Sequence, residues 1–280
     1  MKITINGADA DIQTEHEKTV GEVICALDAW LGNTGHCIKG MSINGEAVAA
    51  DSLGDNFNRS IDTIDLLDIS TGSILELFAE SLMHTIRDIS VYEDSGFDEK
   101  RLFAGQWKQS PQAMMLCEQS PELYNYAAET FSGEGTNPQV FRLILEERLR
   151  ELEDPASEMG KAGSLVNEVC TRLEELPLDI QTGKDMRAAE TVRTFSGVAE
   201  KVFRIFNVLK KEGFPVEEIN VGNIPVTAYI TEFSTALREL LAAYEQHDTV
   251  LVGDLAEYEM APRLRGLHNA VLDGITRKEQ

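Results

Sequence analysis

The chain has 280 residues, enough for two domains at roughly 100 to 200 residues each, and its 42% apolar and 26% charged residues argue against disorder. Forty-eight acids against 25 bases leave a formal charge of −23. That charge argues against a nucleic-acid partner, whose phosphates must be met by clustered Lys and Arg, and against an anionic membrane on the same ground. Split at Gly72, residues 1–72 hold 12 acids and 4 bases and the remainder 36 and 21, so no basic half is hidden in the average. The simplest use of such charge is solubility; a basic protein partner is the sharper reading.

No run of roughly 18 apolar residues is present to span a bilayer, and the opening MKITINGADAD lacks the apolar stretch of a signal peptide. A cytoplasmic protein without membrane insertion is expected. Cys25, Cys37, Cys117 and Cys170 match neither a metal knuckle nor a disulfide framework, so reduced thiols are expected.

In chain order, KITING alternates Ile3 and Ile5 with polar residues and turns at Asn6-Gly7, a hairpin signal. A second strand is expected from Ala10 to Glu15. At Thr19 the period changes: Val20, Val23, Ile24, Leu27, Trp30 and Leu31 recur every three or four residues, with Thr19 and Glu22 spaced as a capping box. That helix ends near Gly32 or Gly35. GMSINGEAV then reads as strand, Asn44-Gly45 turn and strand, and a last strand is expected from Ile61 to Ile69.

This order, two strands, helix, strand, turn and strand, resembles the ubiquitin-like β-grasp fold, and the INGEAV hairpin is similar to the family's small sulfur-carrier branch. In the carriers the resemblance implies a terminal Gly-Gly whose carboxylate is adenylated and loaded with sulfur. Here the matching place is Thr71-Gly72-Ser73 and the chain continues, so carrier chemistry is not expected. A compact module that touches other surfaces is.

The chain then enters a helix with hardly a linker: Ser73 is a plausible cap, and Ile74, Leu75, Leu77, Phe78, Leu82, Ile86 and Ile89 form an apolar stripe. Ser120-Pro121 and Asn137-Pro138 open helices to about 131 and 153. EDPASEMGKAGS (153–164) reads as an internal boundary. A helix from Ser164 to Glu175 is expected to break at LPLDIQTG, and a longer one spans 184–212. After EGFPVEEINVGNIP, Pro225 opens a helix through Tyr229, Phe233, Leu237, Leu240 and Tyr244. Asp248 caps a last helix, which Pro262 should kink or divide. The fold class expected is α+β, a β-grasp domain at 1–72 followed at 73–280 by an all-α bundle of roughly seven or eight helices, with a subdivision near 154–163.

QTGKDMRAAETVRTFS and DTVLVGDLAEYEMAPRLRGL resemble segments of an uncharacterised family of bacterial helical proteins often seen near motility and flagellar genes. The resemblance implies an accessory role in motility and no particular reaction.

Chemistry-bearing motifs fail on spacing. Gly160-Lys161 and Gly183-Lys184 lack the Ser or Thr and the upstream glycine of a phosphate loop, and SGEGTNP (132–138) follows no strand. His16, His36, His84, His247 and His268 form no HxxxH or HExxH pair, and no serine sits in a GxSxG elbow. Glu259 and Arg263 are an i,i+4 pair that reads as a surface ion pair. No catalytic, cofactor-binding or metal residue is assigned, and no cofactor is expected. Trp30, Trp107, Met114 and Met115 are the candidate protein-binding residues, since tryptophan anchors interfaces and methionine lines adaptable grooves. The function expected is a non-enzymatic adaptor or assembly factor with a protein partner. The alternatives are an enzyme or small-ligand-binding protein with a pocket in the helical half, and a structural homo-oligomer.

Overall fold

The computed structural model describes residues 1–10, 12, 17–49, 52–135 and 137–278. Strand β1 (Lys2–Ile5) buries Ile3 and turns at Asn6-Gly7, whose φ values of 52° and 77° are those a tight hairpin requires. β2 (Ala8–Asp9) pairs back on it. The second strand expected at Ala10 to Glu15 falls largely outside the described residues. Helix α1 (Val20–Asn33) carries the expected capping box: Thr19 Oγ1 accepts from the Glu22 N–H and Glu22 Oε2 from the Thr19 N–H. The N–H groups of Lys18 and Thr19 both donate to the Glu22 carboxylate and hold it below its usual range.

β3 (His36–Ile43) and β4 (Glu46–Ala47) form the second hairpin around Asn44-Gly45. The short helix α2 (Leu53–Phe57) follows, and then β5 (Leu66–Ser73). The last strand is displaced from expectation. Residues Ile61–Thr63 make one 3-10 turn, while the strand runs on to Ser73 because β3 starts early and supplies partners, His36 opposite Ser73 and Cys37 opposite Gly72. The sheet order is β2-β1-β5-β3-β4, with β1 and β5 parallel and the other pairs antiparallel. One side packs Ile3, Met41, Ile43, Leu67 and Ile69 with the apolar stripe of α1. The other side is polar: Thr4 and the Gly7 N–H both donate to Asp68, and Ser70 donates to the Gly40 carbonyl.

Helix α3 (Ile74–Asp94) starts at the residue after β5. Ser73 Oγ accepts from the Leu75 N–H at 3.2 Å, and the Ile74 N–H reaches the Gly35 carbonyl at 3.0 Å. α4 (Phe97–Trp107) and α5 (Pro111–Gln119) come next, two helices not anticipated from the sequence, and then α6 (Pro121–Ser132). Tyr92, Phe103, Trp107 and Phe131 form a ring cluster with centroids 5.0–5.5 Å apart. The chain divides into two compact units, Met1–Glu146 and Glu147–Gln280. The Gly72 junction lies inside the first unit, and the division falls within α7 (Pro138–Glu153).

In the second unit, α8 (Pro155–Gln181) corrects two readings at once. Residues 155–164 are helical, with Asp154 as cap on the Ser157 N–H. The break expected at LPLDIQTG is absent, because Pro177 lies inside the helix. The buried stripe Val169, Cys170, Leu173, Leu176 and Asp179 passes straight through it, so packing outweighs the one backbone hydrogen bond that the proline removes. α9 (Asp185–Lys211) returns alongside. A small hairpin of β6 (Asn220–Val221) and β7 (Ile224–Pro225) leads into α10 (Val226–Glu245). α11 (Thr249–Asp254) is capped by Asp248 and passes through a π-helical stretch, Leu255–Met260, into α12 (Ala261–Lys278). That wider turn is where the break expected at Pro262 appears; it accommodates a ring that would otherwise meet the carbonyl four residues back. Among the described residues no helix is long and apolar enough to cross a membrane. The fold is α+β, a mixed N-terminal sheet followed by a helical region.

Leu67 is fully buried at the centre of the sheet core. Leu67→Ala should cost about 2–5 kcal/mol, read as lost hydrogen-exchange protection across β1, β5 and α1.

Candidate functional site

The four candidate residues stand on three helices. Trp30 is 55% exposed on α1 and Met114 is exposed on α5, so both are presented to solvent. Met115 is half-buried. Trp107, expected as a surface anchor, is corrected: it is 3% exposed, because α4 turns its indole into the ring cluster against Phe131 and Tyr124.

The other sequence candidates resolve into structure. His268 is buried in the second unit, its Nε2 2.9 Å from the Met159 carbonyl. Cys170 donates to the Ala261 carbonyl, and burial pushes its thiol up to about 11, which makes it a poor nucleophile. Arg263 pairs with Glu259 at 2.8 Å, as the i,i+4 spacing suggests, and also with Glu232 at 3.4 Å. Among the described residues no group of three or more His, Cys, Asp or Glu could hold a metal ion.

An open apolar cleft of about 280 Å³ lies where four segments of the second unit converge. The end of α8 contributes Leu176 and Ile180; the first turns of α9 contribute Asp185, Ala188, Ala189 and Val192. Tyr244 closes one side from the end of α10, the turn after it brings in His247, and α11 contributes Thr249 and Val252. His247 holds φ at 56°, and the Asp248 N–H bonds to the Ala243 carbonyl, which ends α10 in a left-handed cap. The space exists because alanines occupy positions on α9 where larger residues would fill it. Around it the same segments leave apolar side chains in water: Met186 at 89% exposure, Val250, and Leu241 one turn before Tyr244.

Asp179 fixes the geometry of the α8–α9 turn. Its carboxylate is 2% exposed yet charged partners reach it, Lys184 Nζ at 3.2 Å and Arg187 Nε at 3.0 Å, while the Lys184 N–H bonds to the Asp179 carbonyl at 2.8 Å. Sequence reading missed this cleft. Its one local signal was the pair Ala188-Ala189 on the face of α9 that otherwise carries Val192, Phe195 and Val198.

A second cluster ties α7, α8 and α9 together. Glu151 takes a two-pronged hydrogen bond from Arg204 at 3.0 and 3.1 Å, and Lys201 sits among Glu147, Glu151 and Glu158 at 2.5, 3.7 and 3.4 Å. Three carboxylates around one ammonium cannot all ionise cheaply. Burial pushes Glu151 up to about 7 against the pull of Arg148 and Lys201, with Glu147 and Glu158 adding to the rise. Burial also acts on Glu158, but hydrogen bonds from Lys161 and Lys201 overcome it and leave that carboxyl below its ordinary range.

Residues 1–73 match the family model described as the TP0873 N-terminal domain, and residues 158–270 match a domain of unknown function, DUF8042. A Treponema pallidum (strain Nichols) protein titled "Uncharacterized protein" is 23% identical over 272 residues, covering 97% of this chain and 96% of the relative. No solved structure matches. The first matched region ends at the junction of β5 with α3, and the second contains every residue of the cleft.

The Glu151 cluster sets a pH dependence. The carboxyl ionises near 4.5 in the unfolded chain and near 7 in the fold, so between these values the fold retains a proton that the unfolded chain has released, and rising pH favours unfolding. Glu151 should lower stability by up to about 3 kcal/mol across that window and add no further slope above it. Denaturant unfolding of wild type and Glu151→Gln at a series of pH values should show the fall in wild type and a flatter profile in the variant.

Proposed function

We propose that this chain works by binding another protein, as an adaptor or assembly factor, and that the cleft of the second unit is where it binds. The observation that carries the reading is an open apolar cavity of about 280 Å³ whose lining segments also leave Met186, Leu241 and Val250 exposed. Monomeric proteins rarely leave contiguous apolar surface in water without a use for it. Burying one aliphatic side chain there would contribute roughly 1.5–3 kcal/mol.

The chemistry of the lining favours binding over catalysis. Its polar groups are Asp185, Tyr244, His247 and Thr249. None of them pairs a nucleophile with a base, which an acyl- or phosphoryl-transfer site would need.

The strand order of the N-terminal sheet, with one helix packed on one face, supports reading residues 1–72 as a ubiquitin-like β-grasp module. Gly72 is paired with Cys37 inside β5 and Ser73 caps the next helix, an arrangement suited to contact and not to a reactive terminus. On the same footing we place the protein in the bacterial cytoplasm as an accessory to motility. The region matched to the domain of unknown function overlaps the segments whose resemblance suggests that role.

A photo-crosslinking residue at position 189 of the full chain tests the binding reading. We expect a discrete protein adduct in lysate of the source bacterium, absent when the probe sits at exposed Thr171 on α8. The purified partner should then bind the native chain and lose binding to Ala189→Arg, whose unfolding free energy should stay within about 0.5 kcal/mol of wild type. A probe at 189 that yields no protein adduct would remove the cleft as a binding site.

A further inference from the structure

The cleft has a sign as well as a shape. Asp185 lines it, Glu245 follows Tyr244, and Asp248 lies between His247 and Thr249, all three exposed. The bases on either side of Asp185 are already committed: Lys184 is bound to Asp179, and Arg187 to Asp179 and to Glu175 at 2.6 Å. Among the described residues Asp185 and Glu245 form no ion pair, and Asp248 is engaged only as the cap on the Leu251 N–H. Among the described residues Arg193, next to Val192 on α9, forms no ion pair. The mouth is thus apolar at its floor and net acidic at its edge.

Resting on the protein-binding reading above, we infer that the occupant is an amphipathic helical segment of a partner protein whose apolar face is flanked by lysine or arginine. Three features select it. Besides the apolar lining of the cavity, its segments leave Met186, Leu241 and Val250 exposed, and apolar side chains spaced along a helix suit several such separate positions at once. The acidic edge favours basic flanks and repels acidic ones, so partner choice is set by charge while the cavity supplies burial. A second copy of this chain is disfavoured, since it would bring another −23 against the same edge.

Three synthetic peptides of about 14 residues test this against the full-length protein. One has leucines on a single helical face and lysine elsewhere; the second replaces each lysine by glutamate; the third scrambles the first. Fluorescence anisotropy should show the lysine peptide binding about tenfold tighter than either control, and amide shifts should centre on Ala188, Ala189, Val192 and Tyr244. Ala189→Arg should abolish that binding, and Asp185→Lys with Glu245→Lys should weaken it about tenfold. Equal binding by the scrambled peptide, or shifts centred elsewhere, would reduce the effect to bulk charge attraction and overturn the inference. Cleft binding by the glutamate peptide, lost in Ala189→Arg, would overturn the charge assignment and leave protein binding standing. If none of the three binds, the inference fails, and crosslinking at position 189 decides the reading beneath it separately.

Discussion

A buried carboxylate at the turn between two long helices sets the geometry on which the second unit's surface depends. Asp179 lies on the buried stripe of α8, two residues beyond Pro177, and left unpaired there it would be strongly destabilising. Lys184 and Arg187 reach it from the turn and from the first residues of α9. Their charges fix how α9 leaves the turn, and so where Asp185, Ala188 and Ala189 stand relative to Ile180. Gly253 matters for the same reason: a side chain there would press on Pro177, its first carbon 3.3 Å from the ring, and push α11 with Val252 away from the cleft.

The first unit is governed by a different constraint, the continuity of β5 with α3. The backbone of Gly72, Ser73 and Ile74 is held by pairing to β3 and by the Gly35 carbonyl. The strand therefore delivers its direction to the helix with no slack between them. A side chain at position 72 would meet only the flexible end of Lys39, so the joint is held by its backbone pairing and not by the glycine itself. What looks in sequence like a truncated carrier tail is a closed joint.

Where local chemistry decides the outcome, it could be read directly. Thr19 with Glu22, Asn6-Gly7, Asn44-Gly45, Pro121 and Asp248 each satisfy a nearby backbone group or a required φ, and each does so in the structure. Readings failed where partners are remote. Pro177 signals a break locally, and only the burial of Leu176 and Asp179 on either side of it keeps the helix intact. For Trp107 the sequence leaves a core place beside the anchor reading, and the choice is made by Tyr124 and Phe131 of α6, whose rings lie against it. α4 escaped notice because Trp107 is its one fully buried residue, which leaves no apolar stripe to recognise. The cleft was the least legible of all, since its lining runs from Leu176 to Val252 and its defining feature is two alanines where bulk is missing.

An apolar cleft open to water tends to close, because collapse would remove surface from solvent at roughly 25 cal/mol per Å². Its persistence means that its walls are held by stronger restraints than the gain from closing. One wall, α9, is tied at its start to Asp179 and further along to α7 through Arg204 and Glu151. The opposite wall ends at His247, a residue with a side chain in the left-handed region, at a cost of roughly 1–2 kcal/mol relative to ordinary backbone. That strain is sustained by the hydrogen bonds that end α10. The buried ion pairs and the strained turn therefore act together. They do not close the core more tightly; they leave one part of it open, the cleft on which the protein-binding proposal rests.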